Sequence, residues 1–118
     1  MKSITAMIVA GALLWPAAAE AHTLSLRAAK ARIQAVAKTF ERSPNAGNEV
    51  LVPDNLGPCT RRSPHRVSCI KPFEVQAADR VCTLRLTAFF RSHRDSRAKV
   101  THPAYFDCGP GRRIPVPG

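Results

Sequence analysis

Cys59, Cys69, Cys82 and Cys108 fall as two pairs, each symmetric about a turn, and that symmetry limits the folds open to the chain. Four cysteines admit three pairings. In an antiparallel hairpin, the position numbers of opposed residues add to a constant, so register can choose among them. Cys59 and Cys69 are centred on Pro64, inside the turn-forming run Arg62-Ser63-Pro64-His65. Cys82 and Cys108 are centred on Asp95, inside the polar break His93-Arg94-Asp95-Ser96. The expected bridges are therefore Cys59–Cys69 and Cys82–Cys108.

The second hairpin carries an independent check in its faces. Cys82, Leu84, Leu86, Ala88 and Phe90 share one face with Val100, His102, Ala104, Phe106 and Cys108. Thr83, Arg85, Thr87 and Arg91 share the other with Lys99, Thr101 and Asp107, and Phe89 and Tyr105 interrupt it. One apolar side against one polar side is the pattern of a sheet that buries a single face. Loop closure makes bridges of these spans worth on the order of 3 and 3.5 kcal/mol. Domains of this size hold only about 5–15 kcal/mol in all.

Disulfides need an oxidising compartment, and the N-terminus supplies a route to one. Lys2, the apolar run Ile4 to Trp15 and Ala19-Glu20-Ala21 have the charged, greasy and small-residue order of a secretory signal peptide over residues 1–21. No stretch reaches the roughly 18 apolar residues of a membrane span. The expectation is a secreted, extracellular or cell-envelope-associated protein that starts at His22. Losing Lys2 and Glu20 together leaves the net charge at +10.

Leu26, Ala29, Ile33, Val36, Ala37 and Phe40 recur at helical steps, with Arg27, Lys30, Gln34, Lys38 and Glu41 opposite. Ser25 suits the N-cap, and Pro44 disfavours helix in the residue before it, so the spacing predicts a helix over 25–42. Short strands follow at Val50–Val52, Val67–Val75, Val81–Arg91 and Lys99–Asp107. The segment 109–118, with three prolines and three glycines, reads as a flexible tail. The fold class is α+β: a single domain over 22–108, with one N-terminal amphipathic helix on a curled antiparallel meander of three or four strands and two disulfides. That layout resembles the cystatin-like fold.

No residue set composes a catalytic site. His22, His65, His93 and His102 are widely spaced, no serine lies in a nucleophile elbow, no carboxylates are closely paired, and no glycine loop could cradle phosphate. His65 and His93 read as solvated turn residues, and His102 as a partly buried member of the apolar face. The chain is expected to be neither an enzyme nor cofactor-dependent, and without Cys-x-x-Cys it has no zinc site. Terminal His22 could chelate copper through its amine and imidazole, with His102 or His65 completing the site.

Lys99-Val100-Thr101 and Phe106-Asp107-Cys108, with the cysteine order, resemble the last strand of the secreted subtilisin inhibitors of filamentous bacteria. That resemblance would imply an extracellular protease inhibitor. The chain departs from it where Thr83-Leu84-Arg85-Leu86 follows the third cysteine in place of a proline-bearing reactive segment, and in its N-terminal helix. No Gln-x-Val-x-Gly loop of cystatin inhibitors occurs. In overall plan, the chain is similar to small exported cysteine-containing proteins of high-GC bacteria.

Charge directs the remaining expectation. A net +10 attracts anions, and arginine suits bidentate contact with phosphate or carboxylate. Arg85, Arg91, Arg97 and Lys99, with Phe89 and Tyr105 among them, are expected on the outer sheet face as an anion-binding set. The partner would be an acidic polymer, a cell-envelope component or an acidic protein, held by a monomer.

Overall fold

A computed structural model describes residues 23–43, 49–92 and 94–117. Helix α1 (Leu26–Lys38) is followed by strands β1 (Val50–Leu51), β2 (Cys59–Ser63), β3 (Arg66–Val75), β4 (Arg80–Phe89), β5 (Lys99–Thr101), β6 (Tyr105–Asp107) and β7 (Arg113–Pro115). All seven strands join one antiparallel sheet in the order β1-β3-β4-β6-β7, with β2 also on β3 and β5 also on β4. The sheet is thus larger than a three- or four-stranded meander. No described helix is long and apolar enough to cross a membrane.

Ser25 caps α1 as its residue type requires, its hydroxyl accepting from Ala28 N–H at 3.0 Å. The helix ends four residues before the expected boundary. Phe40 and Glu41 bond back to Ala37 and Lys38, tightening the last turn, and Arg42 exchanges two backbone bonds with Val50 at 3.0 and 3.1 Å. Sheet pairing therefore takes the chain out of the helix before Pro44 can. Ala29, Ile33, Ala37 and Phe40 still reach the core, whereas Leu26, in the first turn, stays exposed.

The sheet is organised by the β3–β4 hairpin, ten residue pairs long, turning through Gln76–Ala78 and Asp79, whose φ is 53°. Its inward face carries Val67, Cys69, Phe73 and Val75 on β3 and Cys82, Leu84, Leu86 and Ala88 on β4, all buried beneath α1. Phe106 packs on Phe73 at 5.0 Å between ring centres, and Phe40 on Phe73 at 6.1 Å. Pro72 sits inside β3 without weakening it. Even-numbered β3 residues face the β1–β2 side: Ile70 exchanges backbone bonds with Pro58 and Gly57, and Glu74 stands opposite Leu51 of β1. Pro72 falls in the gap between those partners, where no N–H is needed.

Both expected bridges are present, Cys59–Cys69 and Cys82–Cys108, and no described cysteine is free. The first hairpin holds its expected register from Cys59 to Arg61, then slips by one at Ser63. The second holds it at Thr83↔Asp107 but not at Thr87↔Thr101. Between those points residues 84–86 face 102–106. Two extra residues bulge out around Pro103, which lacks an N–H, and split the expected strand Lys99–Asp107 into β5 and β6. An even insertion preserves the alternation, so Phe106 and Cys108 remain buried. His102 and Ala104, assigned by pattern to the apolar face, lie on the bulge and are exposed. The segment read as a flexible tail over 109–118 instead contributes β7, paired with β6 from Tyr105↔Pro115 to Asp107↔Arg113.

Candidate functional site

Helix α1 covers one face of the sheet, and no described element packs over the other. Strand alternation sends Arg66, Ser68 and Ile70 of β3, Thr83, Arg85, Thr87 and Phe89 of β4, and Lys99 and Thr101 of β5 to that open side. Tyr105 and Asp107 of β6 and Arg113 of β7 extend it. Only Ser68 is buried there, its hydroxyl 2.8 Å from that of Thr87.

The structure places the expected anion-binding residues in two groups. Arg85 and Lys99 project from the open face, Lys99 opposite Phe89. Arg91 and Arg97, both exposed, lie beyond the end of β4 in the connection to β5. Asp95 shapes that connection, its carboxylate accepting from Arg91 N–H at 2.7 Å and Ser92 N–H at 3.4 Å. The four do not form one array, because β4 stops at Phe89.

Hydrogen bonding divides the arginines by role. Arg32 donates to Ala98 O, Arg42 to Thr39 and Glu41 O, Arg61 to Ser63, Pro64 and Leu24 O, and Arg80 to Cys108 O. These four brace the backbone. Among the described residues, the side chains of Arg27 on α1, and of Arg62, Arg66, Arg85, Arg91, Arg94, Arg97, Arg112 and Arg113, make no such bond. The ion pairs of the described residues involve Lys38 alone, with Glu41 and Asp54. The uncommitted guanidinium groups therefore keep their full donor capacity toward an external anion.

Sequence reasoning missed Arg66 and Arg113. The Arg66 guanidinium stands 5.2 Å from the centre of the Phe89 ring, covering that ring with charge. Arg113 was assigned to a tail and in fact borders Asp107 across β6–β7. It also missed Lys71, which is 0% exposed in the core face of β3 and donates through Nζ to Pro53 O and Asn55 O. Burial pushes the Lys71 ammonium below the usual lysine range; nearby Lys38 pushes the same way and Asp54 opposes. The signal was legible: Val67, Cys69, Phe73 and Val75 alternate around Lys71.

His65 and His102 are exposed, and His102 meets the Phe40 ring edge-on at 4.9 Å. His22 and His93 lie outside the described residues. No cluster of three or more His, Cys, Asp or Glu side chains able to hold a metal occurs among the described residues. Comparison with protein-family models, with curated proteins and with solved structures found no match for this chain.

Proposed function

We propose that this protein is a secreted, disulfide-stabilised binding module that holds an acidic polymer on the open face of its sheet, without chemical conversion of it. The observation that supports this reading most directly is the contrast among its arginines. Four serve the fold, whereas Arg85 and Arg113 on the open face and Arg91, Arg94 and Arg97 beyond the end of β4 have no hydrogen-bond partner among the described residues. Such side chains acquire partners from a ligand at little structural cost, and attraction of a +10 chain for polyanions speeds encounter. Two disulfides in so small a domain fit an extracellular setting.

Retention on a polyanion at increasing salt tests the reading. Log affinity should fall linearly with log salt, because each neutralised anionic group releases counterions. Arg85→Ala and Lys99→Ala should each reduce that slope by up to about 1 and leave folding unchanged. Arg32→Ala, which removes equal charge from a bracing residue, should change stability more than slope. Affinity independent of salt would refute the proposal.

A further inference from the structure

The open face contains an indentation of about 580 Å³ whose walls include Ile70, Thr83, Arg85, Tyr105, Asp107 and Arg113. Register explains how these side chains come together. Thr83 is paired with Asp107 and Asp107 with Arg113, forming a row across three strands. Arg85 and Tyr105 lie two residues beyond the Thr83–Asp107 pair on the same side, one on each strand. Tyr105 is 50% exposed, so its ring borders the groove with an accessible surface.

We propose that this groove is an acidic-saccharide subsite, one that takes a uronate unit of the polymer; the inference rests on the binding reading above. The chemistry asks for three things at once. Arg85 and Arg113 offer paired donors to a carboxylate from two sides. The Tyr105 ring and Ile70 give apolar surface to the C–H face of a pyranose ring. Asp107 and Thr83 accept hydrogen bonds from sugar hydroxyls, and Asp107 retains one carboxylate oxygen for this while the other takes Gly109 N–H at 3.1 Å.

Single-stranded nucleic acid fits the same groove less well. A phosphodiester offers no proton to Asp107 and is repelled by it. Base-stacking sites use a series of free aromatic faces. Here the neighbouring aromatic, Phe89, already carries the Arg66 guanidinium, leaving Tyr105 as the exposed ring of this face. An Asp in an otherwise basic groove favours a ligand that is both anionic and a hydrogen-bond donor.

Titration of the oxidised protein with oligogalacturonate, polyphosphate and oligothymidylate, matched in charge and ionic strength, is the test. Oligogalacturonate should bind at least tenfold more tightly than either phosphate polymer. Tyr105→Ala should weaken it about tenfold and Tyr105→Phe should restore it. Asp107→Ala should weaken oligogalacturonate and tighten polyphosphate, a change of opposite sign that loss of structure cannot mimic. Salt-dependent binding of all three polymers at equal affinity would overturn the saccharide assignment and leave the polyanion reading standing. Absence of salt-dependent binding to any of them would overturn both.

Discussion

Lys71 offers the sharpest quantitative test of how this core is held. Its side chain lies between Cys69 and Phe73 on the buried face of β3, opposite Leu84, and its ammonium ends on Pro53 O and Asn55 O. Lys38 donates to Val52 O at 3.2 Å, so two amines serve one short loop between β1 and β2. Lys71→Met keeps most of the apolar stem and removes the charge. The lost bonds, about 1.5–3 kcal/mol each from a charged donor, oppose relief from a desolvation penalty of several kcal/mol. The Met variant should therefore lie within about 2 kcal/mol of the native protein at pH 7. Lys71→Ala also deletes three methylenes at about 0.8 kcal/mol each and leaves a cavity, placing it a further 2–4 kcal/mol lower. The pH dependence separates the two contributions. Lys71 binds its proton less tightly folded than unfolded, where the pKa is 10.5. Between the folded value and 10.5 the unfolded chain holds more protons, so native stability rises with pH there and is flat below. Each tenfold difference in proton affinity is worth about 1.4 kcal/mol. Urea melts of native and Met proteins from pH 7 to 10.5 should show the native protein gaining on the variant as pH rises. A constant or falling difference would refute the account of Lys71 as a buried charge.

The bridges should be unequal. Removing Cys82–Cys108 by double serine substitution should cost about 3.5 kcal/mol and removing Cys59–Cys69 about 3, because the former closes the longer loop; urea melts giving the reverse order would contradict the loop-closure account. Gly57→Ala would bring a Cβ to 2.6 Å from the Ile70 carbonyl oxygen, which accepts from Gly57 N–H at 2.8 Å. It should cost about 2–3 kcal/mol by thermal melting, more than Gly111→Ala, where φ is +70° but nothing lies within 4 Å and backbone strain alone costs about 1 kcal/mol.

The parts of this fold that were legible are those governed by local rules. A cysteine pair centred on a turn fixes the register close to its bridge, and an apolar stripe at helical spacing needs only the helix itself. What escaped depended on contacts distant in sequence. Nothing local to Arg42 indicates that Val50 will draw it into a bridge and end α1 early. Nothing local to Gly109–Pro117 shows that Tyr105–Asp107 leaves an edge for Arg113–Pro115 to pair with. Pro103 was visible, yet its consequence required the other strand: the bulge forms because β4 runs on unbroken while its partner cannot supply an N–H.

The same distinction applies to the candidate site. Arg85 and Lys99 were identifiable because alternation within one hairpin places them outward. Arg113 and the groove were not, since they exist only once β7 has paired. Charge count alone treats all arginines as equivalent, and the structure shows that they are not: Arg32, Arg42, Arg61 and Arg80 are spent on backbone carbonyls. A chain this basic thus has two populations of cation, one tied to backbone carbonyls and one without such bonds. Substitutions in the first should register as stability and in the second as salt-dependent affinity, and that separation makes a binding surface distinguishable from a merely solvated one.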